Sequence, residues 1–191
     1  YMEREGRTLT RERISNLEDR TSWTSIIEFV LRFYAPQGRA QDFIWGDKTP
    51  GPSHINHMNL LKTIFPGAKF LHIIRDPRDV CLSMKRTWGK SLYRAASMWR
   101  EQIDIARSNS HQLSEDYREV LYESLIADPE SVLRSICAFI ECEFLSVMTT
   151  LQRPSENLGD ARGQARIVRD NTQKYRSYLS PSQVRRIEEI A

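Results

Sequence analysis

One stretch constrains the fold of this chain more than any other: Phe70-Leu71-His72-Ile73-Ile74, followed at once by Arg75-Asp76-Pro77-Arg78-Asp79-Val80. Five nearly uninterrupted apolar residues read as a short strand covered on both faces, as in a parallel sheet. Asp76 then offers a side-chain cap, Pro77 fits the first helical position, where no N–H is needed, and Asp79 places a negative charge in the first turn. A strand therefore feeds a helix through a turn of almost no length, which is how an α/β unit is built.

The rest of the chain repeats that alternation. From Trp23, the apolar positions Ile26, Ile27, Val30, Leu31 and Tyr34 predict an amphipathic helix stopped by Ala35-Pro36. Phe43-Ile44-Trp45 predicts a buried strand leading into Gly46-Asp47-Lys48-Thr49-Pro50. Ser53 is a candidate N-cap for a helix through His57, Leu60, Leu61 and Ile64, closed by Pro66-Gly67. Leu92, Ala95, Met98, Trp99, Ile103 and Ala106 mark a further helix, Val120-Leu121-Tyr122 a third strand, and Ser124 to Phe139 a helix with Pro129 near its start. Residues 144–172 carry Pro154, Gly159 and Gly163 and predict an irregular segment or lid. Ser180-Pro181 opens a last helix. The expectation is a single domain, residues 1–191, with a parallel sheet flanked by helices.

Composition narrows the function. With 191 residues and 40% hydrophobic content, the chain can bury one good core. Charged residues make up 28% with both signs interspersed and a net charge of +3, so the broad basic field needed for non-specific nucleic-acid binding is missing. Cys81, Cys137 and Cys142 lack CxxC spacing and suggest neither a disulfide framework nor a structural zinc site. They fit a reducing, cytoplasmic setting. The longest apolar stretch, Ile26 to Tyr34, is interrupted by Glu28 and Arg32 and falls short of the roughly 18 residues of a membrane span. Tyr1 is not an initiator, and the Val184, Ile187, Ile190 pattern meets no stop signal before Ala191, so both ends read as cut.

The chemistry points to the rim after Ile74. In open α/β sheets ligands bind beyond the carboxyl ends of strands, where a helix start presents free N–H groups to an anion. Arg75 adds fixed donors suited to phosphate oxygens, and the Ser83 hydroxyl lies one turn beyond Asp79. The competing reading pairs Arg75 with Asp76 or Asp79 and leaves Ser83 facing solvent. His54 and His57, three apart, lack a convincing third metal ligand, since His72 lies in a strand and His111 in a polar stretch. Trp88, Trp99, Phe139 and Phe144 read as core or helix-packing residues.

In order along the chain, Trp45-Gly46-Asp47-Lys48-Thr49-Pro50, Phe65-Pro66-Gly67-Ala68-Lys69-Phe70, and Ile74 to Val80 with Ser83 resemble the core of the sulfotransferases that use 3′-phosphoadenosine 5′-phosphosulfate (PAPS). Leu121-Tyr122-Glu123-Ser124-Leu125-Ile126-Ala127-Asp128-Pro129 and Lys174-Tyr175-Arg176 ahead of Leu179-Ser180-Pro181 resemble later family segments. The resemblance implies a P-loop nucleotide-kinase-like sulfotransferase fold and transfer of a sulfonate from PAPS to a hydroxyl or amine, without a metal. It implies Arg75 and Ser83 as ligands of the 3′-phosphate, Tyr122 near the adenine, Lys48 near the transferring sulfonate and Lys174 as a second phosphate contact. Tyr175 stands where many relatives carry tryptophan. His54 or His57 is the candidate base, and the spacing leaves open which one faces the site.

Nothing resembling the family's Arg-Ser-Gly-Thr-Thr loop for the 5′-phosphosulfate occurs in these residues. The expectation is a sulfotransferase truncated before that loop and inactive by itself, with a small-molecule, glycan or peptide acceptor, no nucleic-acid partner and no membrane segment in this piece. The alternatives are a nucleotide-binding module without turnover, or a nucleotide-kinase-like phosphotransferase, which needs a GxxxxGK[ST] loop that the residues do not contain.

Overall fold

The computed structural model describes residues 22–34, 44–48, 57–150, 163 and 167–191, with backbone alone for 31–34. The chain divides into two compact units, residues 1–68 and 69–191.

In the first unit, helix α1 (Trp23–Tyr34) and helix α2 (Met58–Ile64) form where their apolar periodicity places them. The Thr24 hydroxyl donates to the Ile64 carbonyl at 2.6 Å, joining α1 to the end of α2. The expected strand at Phe43-Ile44-Trp45 does not form over its described part. Residues 44–48 have no regular structure, and Ile44 and Trp45 are exposed. A short apolar run without a ladder partner satisfies no backbone groups, and Trp45 instead meets Phe65 edge-on, with centroids 5.2 Å apart. Phe43, Ser53 and residues 1–21 lie outside the described residues.

The second unit contains the parallel pair β1 (Phe70–Ile74) and β2 (Tyr117–Leu121), with Phe70 opposite Tyr117 and Ile74 opposite Leu121. Between them run α3 (Pro77–Trp88) and α4 (Leu92–Ser110), the crossover that a parallel pair requires. After β2 come α5 (Tyr122–Ala127), α6 (Pro129–Phe139), a short 3₁₀ turn at Ser146–Thr149, α7 (Tyr175–Tyr178) and α8 (Pro181–Ile190). The third expected strand is thus real but shifted to 117–121, and Tyr122 opens the next helix. The expected helix 124–139 is two, because the residue before a proline is pushed out of the helical region: Asp128 sits at φ −133°, ψ 77° and caps α6 through Ser131 N–H.

The core lies among α3, α4, α7 and α8, where Cys81, Leu82, Leu92, Ala95, Ala96 and Ile187 are buried together. Ala95 and Ala96 let α4 approach closely, and Ile187 turns the amphipathic face of α8 inward. The Arg118 guanidinium reaches the Ser135 carbonyl of α6 at 2.6 Å, so α6 covers the β2 side of one sheet face. It does not cover β1, whose Leu71 and Ile73 stay exposed, so the expected two-sided burial holds for neither of these side chains. On the opposite face His72 Nδ1 lies 2.6 Å from Tyr117 Oη, beside Glu119, which Arg107 of α4 grips with two hydrogen bonds. Burial, partly countered by Glu119, holds the His72 ring below the usual histidine range. No helix among the described residues is long and apolar enough to cross a membrane.

The β1–α3 turn is set by Asp76. Its Oδ1 accepts the Arg78 N–H at 2.8 Å, and its carboxylate also takes the Arg78 guanidinium, with Nη2 to Oδ2 at 2.6 Å. Burial pushes this carboxyl up, but hydrogen bonds from Arg78, the charge of Arg78 and the Asp79 N–H together hold it below the usual carboxylate range. A depressed folded-state value means that the stabilisation is complete above the unfolded carboxyl range, near pH 4, and is lost as pH falls through the folded value. Urea denaturation at neutral pH should show Asp76→Ala destabilised by about 1–3 kcal/mol. Asp76→Asn should keep most of the cap but flatten the loss of stability below about pH 4; an unchanged acid limb would show that another carboxylate governs it.

Candidate functional site

At the rim of β1 the chain spends its backbone donors on itself. Pro77 has no N–H, Arg78 and Asp79 N–H groups both go to the Asp76 side chain, and Val80 N–H bonds the Asp76 carbonyl at 3.0 Å. Asp76 N–H is taken by Glu123 Oε1 at 3.0 Å. The free helix-start donors expected from the sequence are therefore not available for an anion, because the capping aspartate saturates the first turn. Side chains must supply any anion binding here.

Arg75 is the candidate for that role. The alternative pairing of Arg75 with Asp76 or Asp79 does not occur. Arg78 takes Asp76 and reaches on to Glu188 of α8 at 2.7 Å, while its guanidinium lies 4.1 Å over the Tyr175 ring. Hydrogen bonding to Asp76 raises the Arg78 value further above its ordinary one, so this arginine is a structural tie. Arg75 instead stacks its guanidinium 4.7 Å over the Tyr122 ring and donates from Nη2 to the Asn171 carbonyl at 3.0 Å. It meets no carboxylate among the described residues, and its Nε is buried without a partner. Trp99 Nε1 donates to the Arg75 carbonyl at 3.0 Å, so the aromatic assigned to helix packing also fixes the backbone at the rim.

Asn171 is the residue that sequence reasoning missed. Its carbonyl takes Arg75 and its Nδ2 donates to Tyr122 Oη at 2.7 Å, closing a triangle of arginine, tyrosine and asparagine. It belongs to the stretch expected to be irregular, where neither periodicity nor motif singles out a polar residue. The segment is anchored one step later: Tyr175 N–H donates to the buried Asp79 Oδ1 at 2.9 Å, while Asp79 Oδ2 is buried without a partner. Lys174, half-buried, precedes that anchor and caps α7. Ser83, half-buried, lies one helical turn past Asp79 on the same stripe of α3.

Tyr122, Arg75 and the Asn171–Tyr175 segment are thus brought together within one unit. Lys48 and His57 belong to the first unit, where both are exposed. His57 stands at the α2 N-cap position without a side-chain capping bond. His54 lies outside the described residues. Among the described residues no group of three or more His, Cys, Asp or Glu side chains is disposed to hold a metal ion.

Comparison with known proteins agrees with this architecture. The profile described as the sulfotransferase family matches residues 6–146. Two curated relatives, the omega-hydroxy-beta-dihydromenaquinone-9 sulfotransferases Stf3 of Mycobacterium bovis and Mycobacterium tuberculosis, are each 33% identical, covering 44% of this chain and 26% of the relative. The match therefore spans about a quarter of their length. The sulfotransferase domain from the Synechococcus PCC 7002 olefin synthase superposes with a TM-score of 0.65 at 23% identity, covering 87% of this chain and 62% of that one. The sulfotransferase domain from the curacin biosynthetic pathway gives 0.64 at 18% identity, covering 87% and 66%. The fold is that of sulfotransferase domains, a parallel sheet flanked by helices, as the sequence predicts.

Tyr122→Phe and Asn171→Ala each remove the Oη–Nδ2 bond and leave the Asn171 backbone acceptor in place. In a double-mutant cycle followed by chemical denaturation, the pair should couple by about 1 kcal/mol. Full additivity would mean that the bond contributes nothing.

Proposed function

The chain belongs to the sulfotransferase family, and from that premise we propose that it transfers a sulfonate group from PAPS to a hydroxyl or amine, releasing adenosine 3′,5′-bisphosphate. The observation that carries this reading is Arg75: a guanidinium at the carboxyl rim of β1, stacked on Tyr122, engaged by no carboxylate among the described residues and holding one buried donor in reserve. A buried N–H without a partner costs free energy unless an acceptor meets it, and a phosphate oxygen is such an acceptor. The residues at the rim fit the 3′-phosphate of the nucleotide in this respect.

Each residue has a distinct task in this scheme. Arg75 and the Ser83 hydroxyl hold the 3′-phosphate, Tyr122 borders the adenine, and Lys174 adds a second cation toward the phosphates. Lys48 stabilises negative charge gathering on the oxygens around the transferring sulfur. The acceptor oxygen or nitrogen forms a bond to sulfur, the sulfur–oxygen bond to the donor phosphate breaks, and the acceptor proton passes to His57 or His54. A hydroxyl acceptor is favoured by the omega-hydroxy compound named for the Mycobacterium relatives. The family match favours sulfotransfer over the kinase-like alternative. The chain is read as a single functional domain for a small-molecule, glycan or peptide acceptor, with the segment 144–172 and the residues before Trp23 assigned to the acceptor side.

Binding measured by calorimetry separates these roles. Arg75→Ala should weaken adenosine 3′,5′-bisphosphate roughly ten- to hundred-fold and leave adenosine 5′-phosphate nearly unaffected. Equal losses for both nucleotides would remove the 3′-phosphate role. In the full-length protein, radiolabelled PAPS with a panel of alcohols and amines should yield a labelled acceptor. Transfer from ATP instead of PAPS would overturn the reading, and bisphosphate binding without any transfer would leave a nucleotide-binding module.

A further inference from the structure

The corner between α3 and α4 carries a surface that the nucleotide site does not use. No acidic residue occurs between Asp79 and Glu101, whereas Lys85, Arg86, Lys90, Arg94 and Arg100 all fall in that interval. The helix α3 stops at Trp88 because Gly89 takes a left-handed conformation, φ 64°, with its N–H on the Lys85 carbonyl and the Lys90 N–H on the Met84 carbonyl. This closure brings α4 in after three residues through a tight turn.

Trp88 was expected to pack, yet it is 59% exposed at that turn, with Tyr93 at 42% and Tyr178 at 60% nearby. The Lys90 ammonium lies 5.7 Å from the Trp88 ring, and the Arg86 guanidinium 4.9 Å over Tyr178. Lys85, Lys90 and Arg94 are exposed and form no ion pair among the described residues. Lys85, Lys90, Tyr93 and Gln183 line one open depression of about 430 Å³, and Lys90 links it to the Trp88 ring.

We propose that this corner docks on the headgroup layer of an anionic lipid bilayer. Tryptophan and tyrosine present an apolar body with a polar edge and settle at the membrane–water boundary. Exposed lysines and arginines are drawn to an anionic leaflet, each strengthening association by about five-fold. A protein partner is disfavoured because the centre of a protein interface is depleted of charge, whereas Trp88 and Tyr178 each have a cation beside the ring. A nucleic-acid strand needs a basic groove that tracks its backbone, and this patch is one short corner on a chain of net charge +3.

The test is co-sedimentation of the chain with phosphatidylcholine vesicles, with and without phosphatidylserine. Association should require phosphatidylserine and weaken as salt is raised. The double variant Lys85→Gln/Lys90→Gln should bind about 25-fold more weakly, and Lys85→Arg/Lys90→Arg should bind as the parent does. Trp88→Ala should reduce the association that survives added salt. All these positions are exposed, so unchanged thermal unfolding is expected and serves as the folding control. No association with phosphatidylserine vesicles overturns the proposal, as does association that none of the substitutions alters. Capture by polyglutamate in place of vesicles would assign the corner to an acidic protein, and capture by heparin alone to a polyanionic chain; either result also overturns it.

Discussion

The carboxylate of Asp76 is the interaction on which the rest of the second unit depends. It ends the strand, saturates the first turn of α3 and recruits Arg78, which ties α3 to Glu188 of α8 and covers the ring of Tyr175. A single half-buried carboxylate therefore fixes the entry angle of one helix and the docking of two others. It also makes the choice between two neighbouring arginines: Arg78 is consumed in the tie, and Arg75 is left to face the rim.

That division of labour has a chemical consequence. A helix start with unmet N–H groups binds anions through its backbone, but here those groups are filled from within. What the rim offers is therefore side chains, among them a planar guanidinium stacked on Tyr122 and bonded to the Asn171 carbonyl. The opposing cost is visible in two buried atoms, Arg75 Nε and Asp79 Oδ2, which meet no partner among the described residues. Buried polar groups are otherwise almost always satisfied, so these two atoms stand out.

Long-range ties hold this rim together. Residues 75, 99, 122 and 171 meet there although they are drawn from four different segments of the sequence, and the parallel pairing of β1 with β2 is what brings the first and third of them side by side. Ile74 and Leu121 are register partners, so Arg75 and Tyr122, the residues that follow them, leave the sheet together. The α3–α4 corner, in contrast, is a local product of Gly89 and shares none of these residues.

Much of the fold was legible in the sequence because it rests on local rules. The apolar run at 70–74, the Asp-Pro start of α3, the periodicity of α4 and the Ser180-Pro181 cap each act within a few residues, and each gave the element it predicts. The order of the motifs likewise pointed to the sulfotransferase family that the profile match identifies. What the sequence could not decide depends on contacts across many residues: Asp76 choosing Arg78 over Arg75, Asn171 arriving from a segment without periodicity, Ile44 and Trp45 finding no ladder, and Trp88 remaining in solvent. Propensity and pattern report how a residue treats its near neighbours, whereas these outcomes are competitions between partners that only the folded chain brings within reach.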